Sequence, residues 1–176
     1  AFALGSFLNG HMTTENGMRG RKAILKAVEL AEGNTTEMEK DLIMATVARY
    51  PENWTTEIGN NKEQRLPTYQ AFSDNMAEMF SKYSDNHEIA TVYGQSLFML
   101  EERRGYRKNT PELIHLHSIL TGVLDENIAH PGACHLYIHA TESTDRPGRA
   151  SNCADQLSDA IPVASHIQHM PAHTYN

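Results

Sequence analysis

Proline opens helix after helix in this chain, and that punctuation limits the fold more than any other feature. Thr110-Pro111, His130-Pro131 and Arg146-Pro147 each stand at the head of a segment whose apolar residues follow helical spacing. Proline suits a first helical position because the amide it lacks would have no intrahelical acceptor there. The segments so opened are predicted to run to about Leu124, Glu142 and Ala160, with Pro162 ending the last. A further helix is expected to begin between Ser165 and Met170. Pro171 fits its first turn if His169 stands near the cap and fits poorly if the helix starts at Ser165.

The first half reads the same way. Arg21 to Glu32 carries an apolar face of Ile24, Leu25, Val28, Leu30 and Ala31, and Gly33-Asn34 closes it. Thr36-Glu37-Met38-Glu39 has the capping-box pattern, in which the threonine oxygen takes a first-turn amide and the glutamate reaches back. That helix should run to about Tyr50, where Pro51 stops it. Residues 51–62 are polar and read as a loop. A long helix is expected from Leu66 to Lys82 with Pro67 in its first turn. Asp85-Asn86-His87-Glu88 resembles a second capping box, opening a helix through Leu100, and Gly105 ends that segment.

Helices joined by short turns, with corresponding starts about 40 residues apart, predict an all-α chain of antiparallel helix pairs stacked as a right-handed, tetratricopeptide-like solenoid. An echo supports the period: Cys134-His135-Leu136-Tyr137 aligns with Ala172-His173-Thr174-Tyr175. A helical bundle without repeats is the alternative. The 176 residues suit one helical-repeat domain, with the histidine-rich repeats in 113–176. The chain lacks an initiator Met and both ends fall inside patterns, so a fragment of a longer protein is expected.

Composition excludes some functions. A formal charge of −7 opposes nucleic acid, whose phosphates need a basic stripe. No apolar run approaches the roughly 20 residues of a membrane span, and no signal peptide is visible. The two cysteines, Cys134 and Cys153, read as buried free thiols.

Charge and histidine are unevenly spread. The last lysine is Lys108, while eight of the ten histidines lie beyond Leu113. Such a segment favours bound cations over anions. His135, His139 and Glu142 are spaced i, i+4, i+7 and share a helix face. Two imidazoles one turn apart can hold one ion, and a carboxylate a turn further on can complete or orient the site. His169 and His173 repeat the spacing. On equivalent helices of a solenoid, His135, His139, His169 and His173 can converge as a metal site. His130, His166, Glu142, Tyr137 and Tyr175 are supporting candidates. His130 also suits a helix cap. His115 and His117 point to different faces, so at most one can join, and His11 and His87 are isolated.

Nitrogen donors suit zinc, copper, iron or nickel rather than calcium or magnesium, and Met170 beside His169 leans slightly to copper. The zinc-protease pattern is absent, because His135-Leu136-Tyr137-Ile138-His139 has no glutamate after its first histidine. No reaction follows from these residues.

The two histidine segments, His130-Pro131-Gly132-Ala133-Cys134-His135-Leu136-Tyr137-Ile138-His139 and His169-Met170-Pro171-Ala172-His173, resemble the paired signature of a family of bacterial tetratricopeptide-repeat proteins. Members carry His-Pro-Gly-x-x-His-x-x-x-His followed about 35 residues on by His-Met-Pro-x-His. The resemblance implies a tetratricopeptide-like solenoid with further repeats after Asn176, and no particular activity. Two functions are therefore expected: a transition-metal site on the concave face, or a scaffold whose groove holds a protein or peptide and whose histidines are structural.

Overall fold

The computed structural model describes residues 13–101, 109–161 and 163–175. These are helical, with no strand among the described residues. The helices are α1 (Thr14–Ala31), α2 (Glu37–Val47), α3 (Thr56–Asn60), α4 (Lys62–Lys82), α5 (His87–Leu100), α6 (Pro111–Glu126), α7 (Pro131–Thr141), α8 (Ser151–Ala160), α9 (Ser165–Gln168) and α10 (Met170–Tyr175), with a 3-10 turn at Pro147–Ala150 before α8. The chain divides into two compact units, Ala1–Ile89 and Ala90–Asn176.

In the first unit, α1 and α4 pack on α2. The core gathers Ile24, Tyr50 and Trp54, flanked by Ala27, Ile43, Val47 and Ile58. The capping box forms as expected: Glu39 N donates to Thr36 Oγ1 at 3.2 Å, and Thr36 N donates to Glu39 Oε2 at 2.8 Å. Three expectations need correction. Helix α1 starts seven residues before Arg21, capped by Thr13, because its glycines are slots rather than breaks. A Cβ on Gly17 would stand 2.3 Å from Trp54, and one on Gly20 would stand 2.2 Å from Tyr50. The segment read as a loop over 51–62 contains α3, capped by Thr55, and the first residue of α4, capped by Asn61. Pro67 consequently falls inside α4 rather than in its first turn.

In the second unit two of the three proline signals open α-helices, while Pro147 opens the 3-10 turn, without a side-chain cap, and α8 begins only at Ser151. Thr110 Oγ1 accepts from Leu113 N at 3.2 Å above Pro111, and His130 Nδ1 accepts from Ala133 N at 3.2 Å above Pro131. Asn86, in the first unit, caps α5, accepting from Ile89 N at 3.0 Å. The expected helix breakers Gly105 and Pro162 lie outside the described residues. Helix α7 is the centre of this unit, in contact with α6, α8 and α10. Ala133, Cys134, Leu136, Tyr137, Ile138, Ala140 and Thr141 are all buried, so α7 is covered on every side except the stripe carrying His135 and His139.

Cys134 and Cys153 are not free thiols: they form a disulfide joining α7 to α8 across 19 residues. Their burial is as expected, at 0% and 2% exposed. The last helix is two short ones broken at His169, which places Pro171 in the first turn of α10 and so meets the steric demand read from the sequence.

Candidate metal centre

The stripe left open on α7 is covered by α9 and α10, and the imidazoles of all three elements meet there. His135 and His139 have ring centres 5.0 Å apart, as one helical turn requires. His139 is 5.0 Å from His173, His173 is 5.1 Å from His169, His169 is 4.7 Å from His166, and His166 is 5.0 Å from His135. Five rings thus form a closed loop. His135 Nε2 faces His166 Nε2 at 3.1 Å, and His169 Nε2 faces His173 Nε2 at 3.1 Å. Donors on one ion, each at about 2.0–2.1 Å, stand roughly 3 Å apart, so both pairs already have the spacing of neighbouring ligands.

Glu142 is the C-cap of α7, one turn past His139. Its Oε1 accepts from His139 Nδ1 at 3.0 Å and its Oε2 accepts from His173 Nδ1 at 2.5 Å. One carboxylate therefore sets two rings from different helices. With their Nδ1 atoms on Glu142, both turn Nε2 the other way, the arrangement that orients metal-binding histidines.

Donor atoms within 4.8 Å of one another fall into two groups, His135 with His139 and His166, and His139 with Glu142 and His173. Of the four core candidates, His135, His139 and His173 thus join a group. His169 completes the loop between His173 and His166 without belonging to either group. His166, ranked as support, belongs to the all-nitrogen group. Its spacing of 3 and 7 from His169 and His173 was the available signal. His166 and His169 are exposed while His139 is nearly covered, so the centre opens to solvent along α9.

The other candidates are spent elsewhere. His130 caps α7. His117 is buried and donates from Nε2 to the Ala140 carbonyl at 3.1 Å, tying α6 to α7. His115 pairs with the Tyr93 hydroxyl at 3.1 Å. Tyr137 packs its ring against His117, and Tyr175 donates to Asp155 Oδ1 at 2.5 Å, so both serve packing between helices. Met170 is fully buried and anchors α10. His11 lies outside the described residues.

Burial and the nearby charges of His139, His166, His169 and His173 push the His135 imidazole down to about 3. Burial, then His169, lowers His166 as well. Glu142 is pushed up by burial, but the hydrogen bond from His139 and the charges of His139 and His173 outweigh this, and it lies below its ordinary 4.5. All three groups bind protons more readily in the unfolded chain. Stability of the metal-free protein is therefore full above the ordinary histidine value of 6.5 and is lost as pH falls toward 3. Thermal melts of chelator-treated protein should give a lower Tm at about pH 5 than at about pH 8. Equal values would show that the rings do not share a buried, mutually repelling site.

Comparison with models of known families, with curated proteins and with solved structures finds no match. No described helix is long and apolar enough to cross a membrane.

Proposed function

We propose that this chain is a tetratricopeptide-like helical-repeat protein that binds a transition-metal ion of the zinc, copper or iron class through His135, His139 and His166. One observation carries the reading: the donor nitrogens of these three rings lie within 4.8 Å of one another, with His135 Nε2 facing His166 Nε2 at 3.1 Å. His115, His117 and His130 serve as internal references. Each of those gives a ring nitrogen to a hydroxyl, a carbonyl or an amide, as structural histidines do. A ladder built only for stability gains little from Nε2 facing Nε2 at 3.1 Å, where one nitrogen must be protonated and the other not. An ion takes the lone pair of both.

A set of three nitrogens on one open face leaves a further position to water, which is the pattern of sites that exchange ligands rather than of closed structural ones. The depressed value of His135 supports the same reading, since a neutral ring at neutral pH needs no proton removed before it binds. The disulfide favours work in an oxidising compartment.

Metal analysis tests the proposal. Protein purified without chelator, or exposed to zinc and desalted, is expected to hold at least about one equivalent and to melt higher than the chelated form. Less than about a tenth of an equivalent, with an unchanged Tm on adding zinc or copper, overturns it. Equal Tm with and without chelator is instead what a peptide-binding scaffold with structural histidines predicts.

A further inference from the structure

We infer that the second unit holds two divalent metal ions, the second between His139, Glu142 and His173. The inference rests on the metal-binding reading above and goes beyond it in number, place and donor type.

The loop is too large for one ion. A zinc ion satisfies itself with four donors, whereas the loop and Glu142 together offer six side chains. Those donors do not surround a single point. Five of the six separate into a group of three nitrogens and a group of two histidines with one carboxylate, His139 alone belonging to both and His169 to neither. The diagonal from His139 to His166 is 6.4 Å between ring centres, while every edge of the loop is near 5 Å.

The second position is drawn by Glu142. Both of its oxygens are engaged, one on His139 Nδ1 and one on His173 Nδ1. In the one-ion state protons hold these contacts. A divalent cation among the same three donors displaces the His139 Nδ1 proton to solvent and shifts the His173 proton from Nδ1 to Nε2, beside His169, so that the negative charge of Glu142 falls on metal. His139 is then held as an imidazolate, offering Nδ1 to the second ion and Nε2 to the first. The first position has nitrogen donors only. The second includes an oxygen donor and suits a harder borderline ion, so the two positions differ in affinity and fill in order.

The order and the count are measurable. The metal-stripped chain is titrated with zinc chloride, and bound zinc is counted after equilibrium dialysis. The parent is expected to take up about two equivalents, while Glu142→Gln and His166→Ala each take up about one. His166 is exposed, so its variant keeps the fold, and circular dichroism checks both. Copper(II) loaded in place of zinc should give a half-field paramagnetic resonance transition from paired ions.

Saturation of the parent at one equivalent overturns the second ion and leaves the metal-binding reading intact. No binding by the parent removes both. Two equivalents retained by folded Glu142→Gln overturn the assignment of Glu142. Loss of both equivalents in that variant shows one centre rather than two. No half-field transition at two bound copper ions places them too far apart to share His139.

Discussion

His139→Gln is expected to weaken zinc binding by at least about 100-fold. Loss of an outer hydrogen-bond partner alone costs about 10–100-fold, and this residue is a donor in both groups as well as the partner of Glu142. Glutamine keeps most of the volume, which matters because the ring lies 6.2 Å from Phe98 and its side chain is 12% exposed. Competition against a chromogenic chelator measures the change. His115→Gln is the matched control, since that ring pairs with Tyr93 and stands outside the loop. An affinity within about threefold of the parent for His139→Gln would remove this residue from the ion.

The second large effect concerns stability. Replacing Cys134 and Cys153 together with alanine is expected to cost about 2–4 kcal/mol, because the link closes a loop of moderate length and both sulfurs are buried. Far-UV circular dichroism in urea is the proper readout. The single tryptophan, Trp54, lies in the first unit, outside α7 and α8. A midpoint unchanged from the parent would mean that packing alone holds these two helices together.

Local chemistry made most helices legible. The caps at Thr36 and Thr110 and the prolines at 111 and 131 act within one turn, so sequence alone reveals them. The early half of α1 was hidden because Gly17 and Gly20 look like helix breakers. What stabilises them is the indole of Trp54 and the ring of Tyr50, both more than 25 residues away. The disulfide was hidden for a related reason. Two cysteines 19 residues apart say nothing about pairing until α7 and α8 are known to be neighbours.

The site shows the same division. His135, His139 and Glu142 lie on one helix, and their common face follows from spacing. The part played by His166 depends on how α9 folds back on α7, and no local rule carries that. Glu142 was visible as a candidate, but its grip on two rings from different helices belongs to tertiary structure.

The disulfide also alters the connectivity of the centre. Along the backbone, His135 and His166 are 31 residues apart, and an ion joining them must close that whole loop. The Cys134–Cys153 bond cuts a shortcut through it. From His135 the path steps back one residue, crosses the sulfurs and resumes beyond Cys153, so its length is roughly halved. Each halving of a flexible loop saves about 0.6 kcal/mol of closure entropy, close to a threefold gain in the chance that the two rings meet. Oxidation thus changes the topology of the chain before any metal arrives, and shortens the loop that an ion must close between ligands distant in sequence.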